Sequence, residues 1–129
     1  DLFREAKRTS ALQGIGPAFF TKFIFFFMGR RPASGYIMDQ WTARSVNLIF
    51  GRPVVITRGI GSQSARMPSQ IVCDSNTSAN YEAFCECVEW LADEAGVSPE
   101  EAELSLFSEG RGKGAWRSYV VGRHQARAA

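Results

Sequence analysis

Over the opening residues, Leu2, Ala6 and Thr9 recur at near-helical spacing within a run of helix formers, which predicts a first helix over residues 2–11. Leu12-Gln13-Gly14-Ile15-Gly16-Pro17 then brackets one aliphatic residue with two glycines and follows it with proline, a stop, a turn and a new start in six residues. Pro17 suits a first helical position because its missing N–H would be unpaired there in any case. From Pro17 to Met28 the sequence PAFFTKFIFFFM is apolar on nearly every side. Phe19, Phe20, Phe23, Ile24, Phe26 and Phe27 are each worth about 1.5 to 3 kcal/mol on burial. The preceding turn and the length favour a buried helix over a buried strand. Gly29-Arg30-Arg31-Pro32 ends it. Asp39 stands directly before QWTARSVNLIF, where an Asp is a favoured N-cap and Trp41, Val46, Ile49 and Phe50 supply the apolar spacing of another helix.

Residues 51–78 contain Gly51, Pro53, Gly59, Gly61 and Pro68 with several serines, and only short apolar stretches such as Val54-Val55-Ile56. The expectation is a long Gly/Ser/Pro loop with at most one helical turn. Tyr81, Phe84, Val88, Leu91 and Ala95 fall on one face and predict an amphipathic helix over 79–95 that Gly96 stops. Ser98-Pro99-Glu100-Glu101 reads as a capping box with proline in the first turn, so a further helix runs through Leu106. EGRGKG at 109–114 is a linker, and Trp116 to Val121 a last short element. The pattern is that of an all-α chain without internal repeats.

At 129 residues the chain has room for one domain with a real core, and its 45% hydrophobic and 22% charged content argues against wholesale disorder. It opens on Asp1 with the hairpin only a dozen residues in, so a missing N-terminal lobe stays open at this point. The net charge of +2 does not by itself announce a nucleic-acid partner. The distribution is more informative: acidic residues concentrate between Asp74 and Glu109. Residues 30–66 set Arg30, Arg31, Arg44, Arg52, Arg58 and Arg66 against Asp39 alone. That asymmetry fits a basic, phosphate-facing side, and equally two differently solvated faces.

Cys73, Cys85 and Cys87 make an odd count, and the last two, at i and i+2 of a helix, point to different sides. With His124 as the one histidine no metal-ligand spacing emerges, so the expectation is no metal, no cofactor and reduced thiols. The longest apolar run, Phe23 to Met28, is far too short to span a membrane, and a cytoplasmic protein is expected.

The LQGIG hairpin carries the first functional signal, since two glycines let the backbone approach a DNA phosphate while helix N-terminal N–H groups point at it. Taken alone it also fits a plain helix–helix turn. The full order adds weight: helix, hairpin, buried apolar helix, Pro-containing loop, then an Asp opening the next helix with Arg44 five residues later. That order resembles the helix-hairpin-helix base-excision DNA glycosylase superfamily, which includes endonuclease III and the adenine and 8-oxoguanine glycosylases. There the hairpin is typically L-P-G-V-G. Here Gln13 replaces the proline, and the run from Gly16 to Asp39 is a few residues longer. This likeness covers residues 2–50. GPAFFTKFIFFF and the later GVSPEEAELSLF are similar to a bacterial group with an 8-oxoguanine glycosylase fold, which extends it over most of the chain.

The resemblance implies an all-helical, hairpin-bearing glycosylase lobe that binds double-stranded DNA, flips a nucleotide out and excises its base. The substrate it implies is 8-oxoguanine-like or a hypermodified phage base, in repair or in phage defence, with a bacterial, nucleoid-associated location. Gln13, Gly14, Ile15 and Gly16 would touch the backbone, with Arg30, Arg31 and Arg44 as further phosphate contacts and Arg58 and Arg66 as candidates to wedge or hold the duplex.

Asp39 has a chemical rationale of its own. Breaking an N-glycosidic bond develops positive charge on the sugar, and a nearby carboxylate stabilises it or activates a nucleophile. Simple N-capping, worth about 1 kcal/mol, is the competing role. Tyr36 and Trp41 flank it, either as walls of a base pocket or as core. The resemblance also bears on mechanism. Bifunctional members carry a lysine two residues after the second hairpin glycine, and that position here is Ala18, which implies a monofunctional enzyme using water. Lys22 lies one turn further along the same face of an apolar helix, where burial would favour a neutral, nucleophilic amine. It would equally serve by snorkelling to solvent or contacting phosphate. Residues 98–107 show no chemistry and are expected to be structural. The rival function is a non-catalytic helix-hairpin-helix DNA-binding module, which would gain nothing from Asp39.

Overall fold

The computed structural model describes Gly16, Thr21 and residues 35–60, 69–107 and 114–128. The expected first helix, most of the hairpin at 12–17, the apolar helix with Ala18 and Lys22, and Arg30, Arg31 and Arg66 lie outside the described residues. Among those described, the order is α1 (Gln40–Phe50), β1 (Thr57–Ile60), β2 (Ser69–Val72), α2 (Ser78–Ala95), α3 (Pro99–Phe107) and α4 (Ala115–Ala128). The architecture is all-α with one small ribbon, and none of these helices is long and apolar enough to cross a membrane.

Each helix start follows from its capping residue. Asp39, in extended geometry, accepts the Trp41 and Thr42 amides, while the Thr42 hydroxyl takes the Asp39 amide in return. Thr77 and Asn80 reciprocate in the same way at the head of α2. Ser98 and Glu101 do so before α3, as the sequence predicts. Gly96 closes α2 in the left-handed region at φ 65°, and the Val97 amide reaches back to the Ala92 carbonyl in a Schellman-type end.

The core gathers Met38, Ala43 and Val46 around α1, Val54 and Val55 from the following segment, Phe84, Val88 and Ala92 from α2, and Ala102 and Leu106 from α3. The stripe predicted for α2 holds at Phe84 and Val88, with Tyr81 and Leu91 half-buried, but it turns to Ala92 where Ala95 was expected. On α1 the buried face is polar and small, Thr42 to Val46, and Ile49 faces solvent.

Residues 51–78 depart from the expected loop. Thr57–Ile60 and Ser69–Val72 pair antiparallel, with Thr57 opposite Val72 and Ile60 opposite Ser69. The segment leading into the ribbon buries Val54 and Val55 because amide side chains stand in for a neighbouring strand. Asn47 donates to the Val55 carbonyl and accepts its amide, and Asn76 does the same for Ile56 while also donating to the Cys73 carbonyl. The ribbon is tied to the head of α1 by the Gln70 amide, which donates to Gln40 Oε1 at 3.3 Å. The last element is also longer than expected. In α4, Trp116 donates to Ser45 Oγ at 2.9 Å, and that hydroxyl donates to the Leu106 carbonyl, so α1, α3 and α4 share one polar joint.

Candidate functional site

The site is built on a short strap, residues 35–39, that belongs to neither helix nor strand and ends on the Asp39 cap. A buried segment outside regular structure must find partners for its backbone elsewhere, and here four side chains supply them. The Tyr81 hydroxyl of α2 donates to the Tyr36 carbonyl at 3.0 Å. Glu103 of α3 accepts the Ile37 amide. The Thr42 hydroxyl lies 2.9 Å from the Ile37 carbonyl, and the Met38 amide donates to Thr21 Oγ1 at 3.0 Å. Gly35 opens the strap at φ 81°, in the left-handed region, and a Cβ there would overlap the Tyr81 hydroxyl.

Asp39 is thereby held in one place. It is 7% exposed, and the Trp41 and Thr42 amides both donate to Oδ1, with no donor among the described residues on Oδ2. The expected N-cap is therefore real, and it occupies only one of the two carboxylate oxygens.

A second carboxylate stands close by. Glu103 is buried, and burial, with the Asp39 charge adding to it, pushes its carboxyl up from 4.5 to about 7 against the pull of the Ile37 amide. The sequence reading, which expected residues 98–107 to be structural, did not single out this carboxylate. The signal was present in the sequence: Glu103 sits beside Ala102 and Leu106 on what proves to be the inward stripe of α3.

On the other flank of Asp39, Trp41 is half-buried beneath two guanidinium groups. Arg117 lies 4.1 Å from its ring centroid and Arg44 lies 5.0 Å away. Arg117 of α4 also donates to the Phe107 carbonyl at the end of α3. Arg44, expected as a phosphate contact, is buried, its Nε and Nη2 without a hydrogen-bond acceptor among the described residues and its pKa lowered by desolvation. Sequence reasoning missed Arg117, whose only clue is its place beside Trp116 in a short apolar stretch.

Tyr36, considered for a base pocket, lies in the core. Its hydroxyl is 3.3 Å from Glu89 Oε1, and burial and that carboxylate both raise its pKa. The thiols at 85 and 87 are free, and burial pushes Cys85 up to about 11. Among the described residues, a Cβ added at Gly16 of the hairpin would meet Asp74 Oδ1 at 3.9 Å, an ordinary contact. Among the described residues no three His, Cys, Asp or Glu side chains gather as a metal site.

No curated protein and no solved structure matches the chain. A family does: the one described as "Putative 8-oxoguanine DNA glycosylase OGG-like protein" matches residues 1–107, a span that holds the hairpin sequence, the Asp39 strap and Glu103. The chain belongs to that 8-oxoguanine DNA glycosylase-like family.

Proposed function

We propose that the chain excises a damaged or modified base from double-stranded DNA by hydrolysing its N-glycosidic bond, with Asp39 as the working carboxylate. The observation that carries this reading is the asymmetry of Asp39. Oδ1 is fixed by two backbone amides, whereas no donor among the described residues reaches Oδ2, so the group is held in place and still has an oxygen available. As the bond between the base nitrogen and C1′ breaks, the electron pair leaves with the base and positive charge develops on the sugar. A preorganised carboxylate stabilises that charge and orients water, whose oxygen ends on C1′ and whose proton ends on the base. The base must first leave the helical stack, as in other enzymes that act on bases within duplexes.

In this reading Gln13, Gly14, Ile15 and Gly16, with Arg30 and Arg31, contact phosphates. Arg44 acts from beneath Trp41, reaching phosphate only if that packing opens. Ala18 at the usual lysine position favours a monofunctional enzyme, with Lys22 as the alternative nucleophile. The substrate is an oxidised guanine or a hypermodified base of phage DNA.

The rival reading, a DNA-binding module without catalysis, draws support from the capping bonds, since an N-cap alone explains both amide contacts of Asp39 Oδ1. A panel of duplexes, each with one lesion including 8-oxoguanine and glucosylated or otherwise hypermodified bases, decides between them. The expected result is release of free base and an alkali-labile abasic site from at least one duplex. Binding to all of them with release from none would leave the binding module standing.

A further inference from the structure

We propose that Glu103 is a positioning residue for Asp39. It holds the strap that carries the aspartate, and its ionisation sets the negative field in which the Asp39 carboxylate works. The inference rests on the excision reading above for its kinetic part, and on geometry alone for the rest.

The mechanical link is short. Glu103 Oε1 accepts the Ile37 amide, the Ile37 carbonyl receives the Thr42 hydroxyl, and Thr42 caps back onto Asp39 through its amide and its hydroxyl. Two helices, α3 and α1, therefore converge on one residue two positions before Asp39. The other tethers on the strap's backbone among the described residues are neutral, the Tyr81 and Thr21 hydroxyls, so Glu103 is the backbone tether whose charge can change.

The electrostatic link is as direct. Among the described residues, the ionisable groups that face Glu103 are Asp39 on the strap, Tyr81 and Cys85 on α2, and Glu100 on its own helix. The two carboxyls lie in a buried setting where the charge of one opposes the charge of the other. When Glu103 is ionised, the Ile37 amide is gripped by a carboxylate, a shorter and stronger acceptor than a neutral acid. A second negative charge then adds to the field that the sugar meets in the transition state. When Glu103 is protonated, both advantages fall away while the fold persists.

A Gln at this position keeps a carbonyl oxygen for the Ile37 amide and removes the charge at every pH. In wild type, the Ile37 amide resonance in a 15N–1H spectrum should move with pH through a midpoint near 7. It should stay still in Glu103→Gln, and in Asp39→Asn its midpoint should fall as the opposing charge disappears. Single-turnover excision should rise several-fold from pH 6 to 8 in wild type with DNA affinity unchanged. In Glu103→Gln it should stay near the acid-side rate across that range. An unmoving wild-type Ile37 amide, or a Glu103→Gln enzyme with the wild-type pH profile, overturns the proposal. If Ile37 titrates as expected but no duplex loses a base, Glu103 stands and the excision reading falls.

Discussion

At the scale of single residues, Gly35 shows how much of the site depends on one missing side chain. Its left-handed backbone and the Tyr81 hydroxyl lying over it exclude any Cβ, so Gly35→Ala must both strain the chain and push Tyr81 off the Tyr36 carbonyl. The backbone strain is of order 1 to 3 kcal/mol, and the lost hydrogen bond adds about 1. Denaturant unfolding should therefore show a loss of about 2 to 4 kcal/mol; a loss below 0.5 would mean that the strap tolerates the added carbon.

Glu103 has a stability signature as well. Because its pKa is raised on folding from 4.5 to about 7, the folded chain holds the proton more tightly. Its contribution is present in full below pH 4.5 and is lost as pH rises through 7. The difference in unfolding free energy between wild type and Glu103→Gln should shift against wild type by roughly 3 kcal/mol over that window. A difference that stays flat would mean that Glu103 titrates as an ordinary surface glutamate.

At the scale of elements, the helices were legible because their ends carry their own instructions. Asp39 before an apolar-spaced run, Ser98 with Glu101, and Gly96 after α2 each specify a local geometry within four residues of chain. The ribbon was not legible. Its strands are four residues each, Thr57–Ile60 is mostly exposed, and no alternation of apolar and polar positions marks it. What permits it is long-range: Asn76 reaches back 20 residues to pair both backbone groups of Ile56. Asn76 is fully buried, so Asn76→Ala removes three hydrogen bonds and leaves their partners unpaired. The expected cost is about 2 to 4 kcal/mol, with faster hydrogen exchange at the Ile56 amide. Unchanged exchange there would show that the ribbon is held by other contacts.

The site divides along the same line. Asp39 was visible because its neighbours in space are its neighbours in sequence. Glu103 was not, because its partner is 66 residues away. Periodicity reveals which face of α3 turns inward but not what lies opposite.

At the scale of the whole molecule, charge is unevenly placed. α2 exposes Glu82, Glu86, Glu89, Asp93 and Glu94, while Arg52 and Arg58 are exposed on the segment that follows α1. An acidic face is repelled by phosphate, so DNA is expected to approach from elsewhere. The family match over 1–107 spans the hairpin glycines and Asp39. The central claim is that Asp39 acts on the charge of the transition state rather than merely capping α1. Single-turnover excision by Asp39→Asn tests it most directly, measured beside its DNA affinity and its thermal stability, because Asn caps a helix about as well as Asp. The account predicts that base release falls by at least about 100-fold, the scale of one lost electrostatic stabiliser. It also predicts affinity within a few-fold, stability nearly unchanged, and a wild-type product that is an intact abasic site with no borohydride-trapped adduct. Excision at the wild-type rate in Asp39→Asn would contradict it and leave Asp39 with the helix cap alone.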